Sequence, residues 1–120
     1  MASYVTFYHY TNTSGKNAIV DSGYIMDRPA GHPHAHFGAG TYGTSLAPTE
    51  ERYKIANNNW QGHGSNYISS GKVDWAIKVK IPSHKVKQKG GLTGRDILVH
   101  EGRLNLNEYE HEVVRGPTSF

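Results

Sequence analysis

The order of the predicted secondary-structure elements is the strongest constraint on how this chain folds. Helical patterns occur only in the first half, over 13–22 and from Pro48 to about Trp60. Alternation of apolar and polar residues, typical of strands, begins at 3–11 and dominates the second half. Since helices and strands do not alternate along the chain, the pattern favours an α+β fold on antiparallel sheets over repeated βαβ units.

Turn residues and short alternating runs divide the chain further. Thr13 or Ser14 is expected to cap the first helix and Gly23 to end it. The buried face of this helix is expected to consist of Ala18, Ile19 and Val20. Loops are predicted at 30–41, which is rich in Gly and His, at 61–71, and at the basic connection 85–94. Strands are predicted over 3–11, 24–26, 41–45, 74–81, 96–99 and 104–114.

Composition narrows the class of protein. A length of 120 residues predicts one domain spanning 1–120, large enough for a hydrophobic core. The absence of cysteine excludes disulfides, thiolate nucleophiles and cysteine-based zinc sites. No apolar run approaches the roughly 18 residues that span a bilayer, and the N-terminal residues lack a secretory pattern. We therefore expect no membrane partner, and a protein that resides in or is delivered into a cytoplasm.

Several common kinds of catalytic site are missing from the sequence. There is no G-x-S-x-G nucleophile elbow and no P-loop, and the stretch GAGTYG at 38–43 does not fit the Rossmann spacing. His32, His34 and His36 would share one face of an extended segment and could together bind zinc or copper. Because no further ligands are evident, we interpret these histidines as part of a solvated loop and expect no metal.

Four separated segments carry a recognisable spacing. Tyr8-His9-Tyr10-Thr11 ends the first strand, and about thirty residues later the sequence reads FGAGTYGTS from Phe37 to Ser45. Tyr53 lies eleven residues after Tyr42, and GRDILVH occupies 94–100. In this order the segments resemble the ADP-ribosyltransferase superfamily in its His-Tyr-acid branch, that of diphtheria-type toxins and poly(ADP-ribose) polymerases. The resemblance covers nearly the whole chain and is similar to toxin-type and rifampin-modifying members whose third residue is Asp.

The resemblance implies a fold of split antiparallel sheets with two short helices and a cleft for NAD⁺, which is a substrate and needs no metal. It implies that His9 bonds the ribose next to adenine, that backbone groups of Tyr10 hold the nicotinamide carboxamide, and that the Thr11 hydroxyl binds a ribose oxygen. Tyr42 and Tyr53 would sandwich the nicotinamide ring, since flat aromatic faces stack on a flat heterocycle. The loop over 28–40 would close over the dinucleotide.

The acid that completes the implied site has three candidates. Asp96 opens a late strand, as the acid of the superfamily does, whereas Glu108 falls on the following strand and Glu101 lies between them. The resemblance favours Asp96, which would stabilise the positive ribose carbon as nicotinamide leaves, as carboxylates do beside glycosidic bonds. Asp is one methylene shorter than the polymerase Glu, so mono-ADP-ribosyl transfer or NAD⁺ hydrolysis is expected rather than polymer synthesis. The branch built on Arg, Ser and Glu is disfavoured because no Arg opens the first strand.

Two other functions remain open at the level of sequence. The same fold could bind NAD⁺ or ADP-ribose without chemistry. Alternatively, the lysines within 72–89 and the eight tyrosines could serve a basic nucleic-acid-binding domain in which bases stack on Tyr. The sequence leaves the acceptor of ADP-ribose open among protein, nucleic acid, small molecule and water.

Overall fold

The computed structural model of the chain describes residues 3–28, 38–60, 64–90 and 94–119. Within these ranges lie three α-helices, α1 (Thr13–Ser22), α2 (Arg52–Asn59) and α3 (Gly64–Ser69). The strands of the same ranges are β1 (Tyr4–Thr11), β2 (Tyr24–Ile25), β3 (Thr41–Gly43), β4 (Trp75–Pro82), β5 (Val86–Lys89), β6 (Ile97–His100), β7 (Leu104–Asn105) and β8 (His111–Arg115).

The strands form three sheets, with orders β1-β4-β8, β2-β7 and β3-β6-β5. Every strand pair in them is antiparallel. The prediction of an α+β fold on split antiparallel sheets is therefore confirmed. None of the helices in the described ranges is long and apolar enough to cross a membrane.

Strand β1 is covered on both faces, which fixes its place at the centre of the fold. Phe7 lies opposite Val79 of β4, and both side chains belong to the main core. Tyr8 and Tyr10 point to the other face and pack with Ile55 of α2. Because alternate residues of a strand face opposite sides, one strand serves both cores. The main core consists of Phe7, Ile19, Ile25, Ile77, Val79, Ile81, Leu98, Leu104 and Leu106.

Among the described residues, the sheet of β1 and the sheet of β3 are joined by one pair of residues, Tyr8 of β1 and Thr44. The backbone N–H of Tyr8 donates to the carbonyl of Thr44 at 2.8 Å, and the N–H of Thr44 donates to the carbonyl of Tyr8 at 3.0 Å. In the part of the chain that the structure describes, this isolated bridge pairs the backbone of β1 with the residue that follows β3. Beyond it the two strands diverge, so a crevice opens between the sheets beside the end of β1.

The first helix differs from its prediction in two respects. Its N-cap is Asn12, whose Oδ1 accepts from the Gly15 N–H at 2.8 Å, so the expectation of Thr13 or Ser14 is wrong. Ile19 is buried, but Ala18 is exposed and Val20 is 54% exposed. The helix ends at Gly23 as predicted. The buried face of this helix is therefore narrower than predicted, with Ile19 as its contribution to the main core.

Three predicted boundaries are also wrong. Residues 48–50 form a turn, and α2 begins at Arg52 rather than at Pro48. The expected loop 61–71 contains α3, where Tyr67 stacks on Trp60 with ring centroids 4.7 Å apart. The expected connection 85–94 contains β5, because Val86 packs on the main core and the strand pairs with β6. In each case a tertiary contact decides a segment whose local pattern is weak.

Candidate active site

A pocket lies in the crevice where β1 and β3 separate. Strand β1 supplies three consecutive residues, β3 and β6 supply the opposite wall, and the end of α2 closes one side. The lining residues are Tyr8, His9, Tyr10, Arg28, Tyr42, Gly43, Asn59, Trp60 and Ile97. Three of the residues predicted for the site, His9, Tyr10 and Tyr42, are thus brought together.

A hydrogen bond to the backbone carbonyl of Tyr42 selects one tautomer of the neutral His9 ring. Its Nδ1 lies 2.8 Å from the carbonyl oxygen of Tyr42. A carbonyl oxygen only accepts hydrogen bonds, so Nδ1 carries the proton and Nε2 of the neutral ring carries a lone pair. Burial of the ring lowers the pKa of His9 to about 4, with Arg28 and Lys72 lowering it further and the bond to Tyr42 opposing them. At neutral pH the side chain therefore presents Nε2 as an acceptor.

The pH dependence of His9 follows from this shift. We expect its ring signals to titrate near pH 4 in an NMR titration, instead of near the usual 6.5. As the pH falls from about 6.5 to about 4, the unfolded chain takes up a proton that the folded chain refuses, so the free energy of unfolding falls over this window. His9→Gln should lose this component of the urea-unfolding profile. A ring that titrates near 6.5 would show that the pocket does not desolvate it.

Tyr42 forms the floor of the pocket and is held from several sides. Its ring packs with Ile97 and lies 4.7 Å from the guanidinium carbon of Arg28. Its hydroxyl donates to the carbonyl of Gly38 at 2.6 Å. The cation above the ring and the buried hydroxyl bond fix its plane.

The glycines of the GAGTYG stretch explain why Tyr42 can occupy this place. Gly40 has a φ of +148°, and a Cβ there would lie 2.7 Å from the backbone oxygen of His100. A Cβ at Gly43 would overlap the ring of Phe7 in the core. The stretch therefore brings β3 close to both β6 and β1, which is a packing requirement and not a dinucleotide fingerprint.

The backbone of Tyr10 faces the open crevice. Strand residues direct their N–H and C=O groups to alternate sides with a period of two. Tyr8 uses both groups on Thr44, so the corresponding groups of Tyr10 point to the same side, past the place where the bridge ends. The Tyr10 side chain is buried and its hydroxyl donates to the carbonyl of Leu46 at 2.7 Å. Tyr10 thus contributes a main-chain donor and acceptor at the pocket wall.

Asp96 lies at the margin of the pocket, between the lining residue Ile97 and the loop before β6. Its carboxylate accepts from the backbone N–H of Ser45 at 3.0 Å and from the Ser45 hydroxyl. Ser45 itself follows two residues after Gly43, which lines the pocket. The acid is therefore held by the wall of the pocket on which Tyr42 lies, and is partly exposed.

The competing acids lie elsewhere. Glu108 is exposed in a short 3₁₀ turn, Leu106–Glu108, rather than on the strand where it was expected, and it accepts from Asn105 at 3.4 Å. Glu101 is exposed after the end of β6. Neither lines the pocket that contains His9 and Tyr42.

Two predicted ligand contacts are not among the pocket residues. Thr11 is buried, and its hydroxyl occupies the space that a Cβ at Gly15 would need, so it packs against α1. Tyr53 lies on α2 and is 44% exposed. The aromatic side chain that α2 brings to the pocket is Trp60, at its C-terminal cap.

Trp60 and Asn59 were not predicted as lining residues, and Arg28 was predicted only as the first residue of the closing loop. Trp60 follows Tyr53 by seven residues, which is two turns along one helical face, and this spacing could have identified it as the alternative. No pattern in the sequence distinguishes Arg28 or Asn59, because their positions depend on how β2 and α2 pack.

The described residues contain no group of three His, Asp or Glu side chains placed to hold a metal ion. His32, His34 and His36, and the expected closing loop apart from its ends at Arg28 and 38–40, lie outside the described residues.

An α+β fold with three antiparallel sheets and few helices in its described part is compatible with an ADP-ribosyltransferase-like domain. A family model described as "HYD1 signature containing ADP-ribosyltransferase" matches residues 7–107. The chain therefore belongs to this family of toxin-type ADP-ribosyltransferase domains, whose substrate is NAD⁺. Searches of curated proteins and of solved structures returned no match.

Proposed function

We propose that this chain binds NAD⁺ in the pocket between β1 and β3 and cleaves the bond between nicotinamide and ribose. ADP-ribose is then transferred to a single acceptor or to water. The observation that carries the proposal is the convergence of His9, Tyr10 and Tyr42 on one pocket, with Asp96 at its margin. A toxin-type family supports a catalytic role over a binding module or a nucleic-acid-binding domain.

In this proposal the nicotinamide end enters between Tyr42 and Trp60. The backbone N–H and C=O of Tyr10 pair with the carboxamide, which offers one acceptor and one donor group in matching positions. The ring stacks on Tyr42 in place of the Arg28 guanidinium that covers the Tyr42 ring in the structure. Trp60 supplies the second aromatic wall that the superfamily pattern assigned to Tyr53. Stacking on aromatic faces needs no polar group of the ring and leaves the carboxamide to set its orientation.

His9 acts on the ribose. Its Nε2 lone pair accepts a hydrogen bond from a ribose hydroxyl, while Nδ1–H remains on the carbonyl of Tyr42. The same bond links the imidazole to the residue that binds nicotinamide, so the sugar and the leaving group are held by connected parts of the protein. A neutral ring also adds no positive charge beside a ribose that becomes cationic.

Asp96 supplies the negative charge. As the bond between the ribose carbon and the nicotinamide nitrogen breaks, both bonding electrons leave with nicotinamide, which becomes neutral. The ribose carbon is then cationic, and the Asp96 carboxylate stabilises it until an oxygen or nitrogen nucleophile adds and loses its proton. The two donors of Ser45 keep the carboxylate oriented for this step.

The function is tested by incubating the protein with NAD⁺ and measuring free nicotinamide and free ADP-ribose. We expect nicotinamide to be released catalytically. If free ADP-ribose equals free nicotinamide in amount, the reaction is hydrolysis. If free ADP-ribose is lower and the missing part is found attached to a protein, nucleic acid or small molecule, the reaction is transfer. Tight binding of NAD⁺ with no nicotinamide release under any acceptor condition would overturn the catalytic proposal.

A further inference from the structure

We propose that Asn58 and Arg95 are positioning residues that hold Asp96 in register with the aromatic wall at Trp60. The inference rests on the proposed role of Asp96. It extends that role to the end of α2, whose residues were not predicted to contact the acid. Its basis is a reciprocal set of hydrogen bonds between two dipeptides, Asn58-Asn59 and Arg95-Asp96.

The side-chain amide of Asn58 binds the backbone of Asp96 on both sides. Asn58 Oδ1 accepts from the Asp96 N–H at 2.6 Å, and Nδ2 donates to the Asp96 carbonyl at 2.8 Å. An amide that pairs with both groups of one residue fixes its position and its rotation about the chain, as a neighbouring strand would. Nδ2 also lies 3.4 Å from the Thr44 hydroxyl, beside the bridge between the sheets.

Arg95 returns the contact to the helix. Its Nε donates to the carbonyl of Asn58 at 2.7 Å and its Nη2 to the carbonyl of Asn59 at 3.1 Å. These carbonyls lie in the last turn of α2, where the helix leaves its oxygens without intrahelical partners and carries partial negative charge. A planar guanidinium satisfies two such oxygens at once, which a lysine ammonium does with much less directional control.

Taken together, the four bonds join Asn58 and Asn59, the two residues before Trp60, to Arg95 and Asp96. Trp60 is the C-cap of α2 and lines the pocket, so the position of this helix end sets the position of the aromatic wall. A plain helix-capping role explains the bonds of Arg95. It does not explain those of Asn58, whose side-chain amide pairs with both backbone groups of Asp96.

The test compares Asn58→Ala, Asn58→Asp and Arg95→Lys with the unchanged chain in nicotinamide release. We expect kcat to fall about 10- to 100-fold for Asn58→Ala, since displacement of a catalytic group by about 1 Å costs on that order, while KM for NAD⁺ changes by less than about threefold. Asn58→Asp keeps an acceptor for the Asp96 N–H but places a second acceptor against the Asp96 carbonyl, so we expect it to lose activity as well. Arg95→Lys keeps the charge but loses the planar fork, and we expect an intermediate loss. Asn17→Ala, on the exposed face of α1, is the matched control and should leave kcat unchanged.

A double-mutant cycle separates positioning from mere stability. In an Asp96→Asn background, Asn58→Ala should cause no further loss of kcat, because the group that Asn58 positions is already inactive. A further loss of the same size as in the unchanged chain would overturn the inference, as would full kcat in both Asn58→Ala and Arg95→Lys. If Asp96→Asn itself retains full activity, the proposed function of Asp96 fails first, so the two failures are distinguishable. Should Asn58→Ala not fold, the cycle is run with Asn58→Asp.

Discussion

Replacing Asp96 with asparagine is expected to lower the rate of nicotinamide release about 10²- to 10³-fold, the usual effect of removing one preorganised electrostatic group. Asparagine has nearly the same shape, and its Oδ1 still accepts from the N–H of Ser45, so the pocket wall stays in place. What disappears is the negative charge that, in the proposed function, stabilises the ribose cation. NAD⁺ affinity, measured by calorimetry, should change little because the charge acts mainly in the transition state.

Two companion variants sharpen the Asp96 result. Asp21→Asn removes a carboxylate from the exposed surface of α1 and should not affect the rate. Asp96→Glu keeps the charge on a longer side chain and tests how closely its reach is set. Full activity in Asp96→Asn, with Asp21→Asn also active, would show that Asp96 is not the catalytic acid. Glu101 and Glu108 would then be the candidates for this role.

Trp60→Ala is expected to weaken NAD⁺ binding about tenfold or more, whereas Tyr53→Ala should have a small effect. Trp60 lines the pocket, and loss of one aromatic stacking face costs about 1–3 kcal/mol, of which about 1.4 kcal/mol corresponds to a factor of ten. Tyr53 is 44% exposed on α2 and does not line the pocket. Dissociation constants for NAD⁺ and for nicotinamide alone provide the measurement.

The contrast between the two aromatic residues also contains its own control. Both variants remove an aromatic side chain from the same helical segment, so a general loss of helix stability would affect them alike. Trp60→Phe keeps a flat ring and should recover most of the affinity. A large effect of Tyr53→Ala together with a small effect of Trp60→Ala would contradict this prediction. Tyr53, which the superfamily spacing selected, would then be the second stacking residue.

The sequence predicted the fold better than it predicted the periphery of the site. Strand β1 was predictable because its alternation is strong and both of its faces become buried. The spacing of His9 and Tyr42 was likewise informative, since a bridge at Tyr8 and Thr44 places them side by side. These features depend on local pattern and on one pairing.

The rest depends on tertiary contacts that leave no local signal. Asn12 is the helix cap instead of Thr13 or Ser14, and since Asn and Ser cap helices about equally well the sequence leaves the choice between neighbouring positions open. Trp60 entered the pocket because α3 packs on α2 and Tyr67 supports its ring. Arg95 and Asn58 are ordinary polar residues in the sequence, and their bonds depend on how the end of α2 meets the start of β6.

The bridge between Tyr8 and Thr44 has a consequence for how such a pocket arises. Two sheets that meet at one residue pair and then separate leave backbone N–H and C=O groups accessible. In an unbroken ladder these groups would be paired with the neighbouring strand. If the segment before Thr44 continued alongside β1 in the same antiparallel register, the backbone of Tyr10 would pair with that of Tyr42 and the crevice would close, with little change to the core. The opening of the pocket is thus set by where the pairing between the two strands stops. The ability to bind a planar amide such as a carboxamide comes from this interruption in the sheet.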